Sequence, residues 1–141
     1  MTLLRRSLLT ANFLVLNRER VFKWGEWDCN LFIVDLLDHL DANGMPWRSQ
    51  AIRGKYDTGF AAAKFQHHYT PAPDWLEQNE YKIVIKTDQE FADQDIILEK
   101  KKRYWTASLF FGGHLWSVVE DKGLMMTTIE PGAYQVGVYR G

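Results

Sequence analysis

The stretch that decides the expected fold is residues 22–32: Phe22-Lys23-Trp24-Gly25-Glu26-Trp27-Asp28-Cys29-Asn30-Leu31-Phe32. Aspartate favours the N-cap position, so a helix is predicted to begin at Asp28. The residues beyond it are apolar on most sides of that helix: Leu31, Phe32, Ile33, Val34, Leu36, Leu37 and Leu40. A helix that is apolar nearly all round is buried. We therefore predict a central helix with Phe32 and Leu36 in the core, ending near Asn43-Gly44.

Cys29 would lie in the first turn of this helix. Unpaired N–H groups and the helix dipole favour a thiolate there, and the thiolate is the reactive form. A lone cysteine is also commonly a small buried hydrophobe. The position therefore leaves a reactive and an inert interpretation open. Because the chain has one cysteine, an internal disulfide and a thiolate-rich metal site are excluded.

The two halves of the chain differ in their hydrophobic period. Residues 1–80 read as helices and loops, whereas alternating strand candidates follow at 81–87, 95–99, 104–111, 114–120, 124–129 and 134–139. Helices followed by strands indicate an α+β fold. Gly112-Gly113 predicts a two-residue hairpin, and short connections favour an antiparallel meander. We expect one domain over residues 1–141, with an N-terminal helix at 1–20, a helical part at 21–80 and antiparallel strands at 81–139.

The first sixteen residues contain two arginines followed by an apolar stretch. Polar residues interrupt that stretch and no small-residue cleavage site follows, so a signal peptide is not predicted. The apolar residues instead recur at helical spacing: Leu3, Leu4, Leu8, Leu9, Phe13 and Leu16. This pattern predicts an amphipathic helix packed on the domain through those side chains. No apolar run is long enough for a membrane span, so the expected location is the cytoplasm or a particle assembled there.

The composition narrows the class of protein. Hydrophobic residues make up 46% and charged residues 25% of the chain, which is typical of a soluble globular domain. The formal net charge of −1 gives no overall attraction to nucleic acid or anionic membranes. One basic run, residues 100–103, is most simply a solvated loop. Six tryptophans predict either a core built on large rings or a surface that contacts a partner.

Residues 22–32 resemble the segment around the nucleophile of NlpC-like cell-wall peptidases, especially a branch from tailed phages and prophages with a tryptophan-glycine pair before the cysteine. Further elements are similar to that family: Arg53-Gly54-Lys55-Tyr56 with Ala61-Ala62-Ala63, Asp95-Ile96-Ile97-Leu98 after Gln94, and Thr106 to Gly112. Gly123-Leu124 and Ala133-Tyr134-Gln135-Val136 fit its last two strands. The resemblance covers roughly residues 20–139. It implies a papain-like, NlpC-type fold in which N-terminal helices pack on an antiparallel sheet or barrel, with Cys29 at the nucleophile position and Trp24, Trp27 and Asp28 beside it.

One departure from the family decides the expected function. Thr106 stands where the peptidases have the catalytic histidine, and a threonine hydroxyl cannot accept a proton near neutral pH. His114 would point to the other face of the hairpin, about five residues or on the order of 17 Å away. His39 lies too far along the cysteine's own helix. His67 and His68 follow a second predicted helix at residues 60–65, and no further ligands suggest a metal site.

The predicted hairpin places an apolar set of side chains on one face: Trp105, Ala107, Leu109, Phe111, Trp116 and Val118. The register expected from the turn pairs Phe111 with His114 and Thr106 with Val119. If the apolar face is the core face, Thr106 points outward. If the Thr106 face meets the cysteine helix, a partner protein must cover the apolar face. Of Trp24 and Trp27, we expect one in the core and Trp27 partly exposed.

These observations favour a phage or prophage tail protein, structural or active in assembly, on a peptidase fold that has lost its base. The expected partners are other tail proteins, in the virion tail or in the host cytoplasm during assembly, with peptidoglycan as a second candidate. No cofactor, metal or nucleic acid is expected. The first alternative is an active cysteine peptidase that cleaves peptidoglycan peptides with Cys29. The second is a cytoplasmic domain with a buried cysteine.

Overall fold

The structure, a computed structural model, describes residues 2–41, 45–59, 61–62, 71–101 and 104–141. Its helices are α1 (Leu3–Asn17), α2 (Cys29–Leu40), α3 (Trp47–Gln50) and α4 (Pro73–Glu77). The strands are β1 (Tyr81–Thr87), β2 (Ile96–Lys100), β3 (Trp105–Phe111), β4 (His114–Val119), β5 (Gly123–Thr127) and β6 (Ala133–Tyr139). This order of helices and then strands confirms the α+β class.

Some predicted features lie outside the described residues. They are the Asn43-Gly44 pair, most of the helix predicted at 60–65, both histidines that follow it, and the last two residues of the basic run. The central helix itself ends earlier than predicted, at Leu40 with Asp41 as its C-cap. Within the described part of the chain, no helix is both long and apolar enough to cross a membrane.

The strands described here form one antiparallel sheet in the order β1-β6-β2-β3-β4-β5. Strands β2 to β5 follow the predicted meander, but β6 crosses back and inserts between β1 and β2. It pairs with β1 from Tyr81↔Tyr139 to Thr87↔Ala133 and with β2 over three residues. The simple meander was therefore wrong at β6. Period-two patterning identifies a strand, but not its neighbour in the sheet.

The helices cover one face of the sheet. The main core joins Phe32 and Leu36 of α2 with Ala107 and Leu109 of β3 and Val118 of β4. This confirms both predicted core residues of α2. It also decides between the two arrangements of the hairpin, because the apolar face meets the helices and needs no partner to cover it.

The β3–β4 hairpin turns at Gly112 and Gly113, both with positive φ, as the Gly-Gly pair predicted. Phe111 pairs with His114, and the ladder continues to Leu109↔Trp116. The predicted Thr106–Val119 pair lies beyond this ladder. Val119 of β4 pairs instead with Gly123 of β5. Thr106 of β3 pairs with Glu99 of β2.

The N-terminal helix forms as predicted but buries a different side. The buried residues of α1 are Arg6, Thr10, Phe13 and Leu14. Four of the six residues expected to pack on the domain are exposed: Leu3, Leu4, Leu8 and Leu16. The reason is the surface opposite α1, where the Tyr81 hydroxyl accepts from Arg6 at 2.6 Å and Gln94 lies 3.2 Å from the Thr10 hydroxyl.

Candidate functional site

Asp28 holds the first turn of α2, as the predicted N-cap. Its Oδ1 accepts from the N–H groups of Asn30 at 3.1 Å and Leu31 at 2.9 Å. Its Oδ2 accepts from the Gly25 N–H at 3.0 Å and from the Tyr56 hydroxyl at 2.6 Å. The carboxylate is buried and accepts four hydrogen bonds from the protein itself. Its observed contacts are therefore those of a structural anchor.

The two segments that carried the resemblance are joined in the structure. Gly25, with φ of 81°, packs so closely that a Cβ there would lie 1.9 Å from the Tyr56 carbonyl oxygen. The Gly54 N–H donates to the Gly25 carbonyl at 2.9 Å. Arg53 donates to the Glu26 carbonyl and pairs with Asp35 of α2. Residues 53–56 thus brace the turn before Cys29, a contact that no sequence spacing predicted.

Cys29 is the first residue of α2 and is partly exposed. Burial of the sulfur raises the pKa of its thiol to about 12, and the adjacent Asp28 carboxylate acts in the same direction. The N–H groups of Ala107, Cys29 and Asn30 oppose this shift without cancelling it. At neutral pH the thiol is therefore protonated. Of the two interpretations that the sequence left open for Cys29, this environment favours the inert one, because desolvation and a neighbouring anion outweigh the helix N–H groups.

The two histidines in the described residues lie away from the thiol. His39 is ten residues further along α2, about 15 Å at 1.5 Å per residue, and its ring packs on Phe13. His114 is exposed at the hairpin turn, where it pairs with Phe111, four residues along β3 from the Ala107 that hydrogen-bonds the thiol, or about 13 Å at roughly 3.3 Å per residue. His67 and His68 lie outside the described residues. Within the described part, no imidazole is placed to take a proton from Cys29.

Thr106 lies on the face of β3 that turns away from the cysteine helix. Its neighbour Ala107 belongs to the core between α2 and the sheet, and successive strand side chains alternate between faces. The Thr106 hydroxyl is 3.4 Å from the Glu99 carbonyl on β2. The structure therefore does not bring Thr106 and Cys29 together, and Ala107 is the β3 residue beside the thiol.

The tryptophans of this region exchange their expected places. Trp27 is only 1% exposed, whereas Trp24 is partly exposed against Phe22. Trp27 immediately precedes the N-cap and packs edge-on against Phe32, with ring centroids 5.8 Å apart. An apolar residue before the cap that contacts the fourth residue after it is a hydrophobic staple. That spacing was the signal in the sequence that Trp27 belongs to the core.

The described residues around Cys29 include a protonated thiol and the Asp28 carboxylate, which already accepts four hydrogen bonds. They include no imidazole. Among the described residues, no cluster of three or more His, Cys, Asp or Glu side chains is arranged to hold a metal ion. Among the described residues, no imidazole is placed beside Cys29 to act as the base and the acid that thiol-based amide hydrolysis uses. No protein-family model, curated protein or solved structure matches the chain.

Proposed function

We propose that this chain is a structural or assembly protein of a phage or prophage tail, built on an NlpC-like fold without thiol-hydrolase chemistry. The observation that carries this proposal is the environment of Cys29. Its thiol has a pKa of about 12, and neither described histidine approaches it. The loss of a general acid–base group costs roughly 10²–10⁴ in rate. A protein retained with such a site is better suited to binding than to turnover.

Exposed apolar side chains on α1 support the assembly part of the proposal. Leu4 and Leu8 are 70% and 62% exposed, and Val15 continues the same stripe at helical spacing. Exposed apolar patches on folded proteins commonly mark contacts with other proteins. The expected partner is another protein of the same tail.

The alternative is an active cysteine peptidase in which His67 or His68 serves as the base. Purified protein should be assayed on peptidoglycan peptide fragments beside Cys29→Ala, His67→Ala and His68→Ala. We expect no turnover by the native chain. Turnover that disappears in Cys29→Ala and in one histidine variant would establish the peptidase instead.

The protonation of Cys29 gives a pH-dependent prediction. Alkylation of the native, folded protein by iodoacetamide should be slow at pH 7 and should accelerate only in the alkaline range, because the thiolate is the nucleophile. Asp28→Asn removes a negative charge that raises this pKa, so its rate profile should shift to lower pH. A native rate that is already at its plateau near pH 7 would show a thiolate and contradict the inactive site.

The assembly role is tested by pairwise binding between this chain and each purified tail protein of the same virus. Leu4→Lys and Leu8→Lys should weaken the interaction. Ile85→Lys is the matched control, because it places the same charge on an exposed apolar residue of β1. Binding that is unaffected by the α1 variants, or weakened equally by the control, would remove α1 from the proposal.

A further inference from the structure

A cavity of about 250 Å³ lies at the opposite end of α2 from Cys29. It is open to solvent on one side and is lined by residues of α1, the end of α2, α3, the segment before β1 and the β1–β6 edge of the sheet. Polar residues of its lining include Arg6, Asp41, Arg48, Asn79, Glu80 and Tyr81. At roughly 30 Å³ for each water molecule, the cavity has room for about eight non-hydrogen atoms of a ligand. Nothing in the proposed tail role uses it.

Arg6 is the unusual member of this lining. It is only 4% exposed, and its guanidinium stacks on Tyr139 at 3.6 Å from the ring centroid. Its Nη2 donates to the Tyr81 hydroxyl, while its Nε is buried without a hydrogen-bond partner in the described structure. An arginine cannot shed its charge on burial, as a lysine can. A buried guanidinium therefore needs an anion.

The chain itself does not supply that anion. All 18 Asp and Glu residues fall within the described ranges, and none of the ion pairs formed there includes Arg6. The second arginine of the cavity is different. Arg48 lies 3.4 Å from Asp38 and 3.2 Å from Asp41, and its Nε donates to Asn79. Among the described residues of the lining, Arg6 is thus the cation that forms no ion pair.

Tyr81 adds a second donor beside Arg6. Tyr81 lines the cavity, and its oxygen accepts from the guanidinium, so its own O–H proton is not used in that hydrogen bond. Burial raises the pKa of Tyr81 to about 12, so the hydroxyl keeps this proton at neutral pH. A guanidinium and a hydroxyl side by side match the two oxygens of a carboxylate. The carboxylates of Asp41 and Glu80 also line the cavity and would repel a doubly charged phosphate.

We propose that this cavity binds a small carboxylate, which pairs with Arg6 and accepts the Tyr81 hydroxyl. Calorimetry with sodium propionate tests this on the full chain, with inorganic phosphate as the comparison. We expect saturable propionate binding that Arg6→Lys and Tyr81→Phe each weaken by roughly tenfold or more, the value of a charge-assisted hydrogen bond. Propionate should also bind more tightly than phosphate.

Glu80→Gln tests the site without disturbing the buried residues, because Glu80 is exposed. Removing its charge should tighten propionate binding by roughly two- to fivefold. The matched control is Glu77→Gln on α4, outside the cavity lining, which should leave the affinity unchanged. Three results would each overturn the proposal: phosphate binds more tightly than propionate, propionate binding does not saturate by about 10 mM, or the affinity responds to none of the cavity variants.

Discussion

The two longest described helices, α1 and α2, pack against each other through Phe13 and Phe32, yet the first half of α1 buries polar side chains where α2 buries mainly apolar ones. The buried side of α2 is largely the apolar one that its sequence predicts, including Phe32 and Leu36. In contrast, α1 buries Arg6 and Thr10 and leaves Leu4 and Leu8 exposed. The apolar stripe of a helix therefore identifies its core-facing side only where the opposing surface is apolar as well.

The opposing surfaces explain the difference. α2 lies over Ala107 and Leu109, so apolar side chains fill the space between helix and sheet. α1 lies over Tyr81 and Gln94, whose polar groups would be buried without partners under a layer of leucines. Burying an unpaired polar group costs about 1–3 kcal/mol, which is comparable to the gain from burying one leucine.

The largest change in stability is expected in α2, whose apolar side faces the core. Leu36→Ala should lower the free energy of unfolding by about 2–5 kcal/mol, because it removes buried methyl groups and leaves a cavity. Leu8→Ala makes the same chemical change on the exposed side of α1 and serves as the control. Urea denaturation of both variants measures the contrast. Equal losses would show that the two helices are buried alike.

The second prediction compares the loss of stability on changing the N-cap residue of each helix. Asp28→Asn should cost about 1–3 kcal/mol, because the buried Gly25 N–H loses its charged acceptor and an amide must face the Tyr56 hydroxyl. Thr2 caps α1 at an exposed site, where its hydroxyl accepts from the Arg5 N–H. Thr2→Ala should therefore cost less, about 0.5–1 kcal/mol. A larger loss at Thr2 would reverse the comparison.

Local sequence patterns predicted several features of the fold. The apolar circumference of α2, its aspartate cap and the Gly112-Gly113 turn each act over a few residues, and the structure has all three. The strand boundaries differ from the predictions by at most two residues. Such features depend on neighbours in the chain, so the sequence contains the information directly.

The features that the sequence did not reveal depend on contacts between distant segments. The insertion of β6 beside β1 and the bond from Tyr56 to Asp28 are both of this kind. The charge state of Cys29 is another, because burial under β3 decides it rather than its place in the helix. The direction of the Thr106 side chain could be assigned only after the structure had shown that Ala107, its neighbour on β3, faces the core.

The third prediction concerns the polar side of α1. Thr10 is fully buried, and its hydroxyl lies 2.9 Å from the Arg6 carbonyl and 3.2 Å from Gln94 Oε1. Thr10→Val keeps the shape and makes the site more apolar, yet it should destabilise the fold by about 1 kcal/mol through the lost hydrogen bond. Thr10→Ser retains the hydroxyl and controls for it. If Thr10→Val stabilised the fold, the buried side of α1 would favour apolar side chains, as α2 does.

The smallest effect is expected at the exposed leucines of α1. Lysine and leucine have similar helix propensities, so Leu8→Lys tests burial with little change in the helix itself. The side chain at position 8 stands mostly in solvent, and we expect the free energy of unfolding to change by no more than about 0.5 kcal/mol. Leu14→Lys, one of the buried positions of the same helix, should be strongly destabilising, because it places a charge in the core. If Leu8→Lys were as damaging as Leu14→Lys, the stripe of leucines would be packed in the isolated chain, and both the polar interface of α1 and its availability to a partner would have to be abandoned.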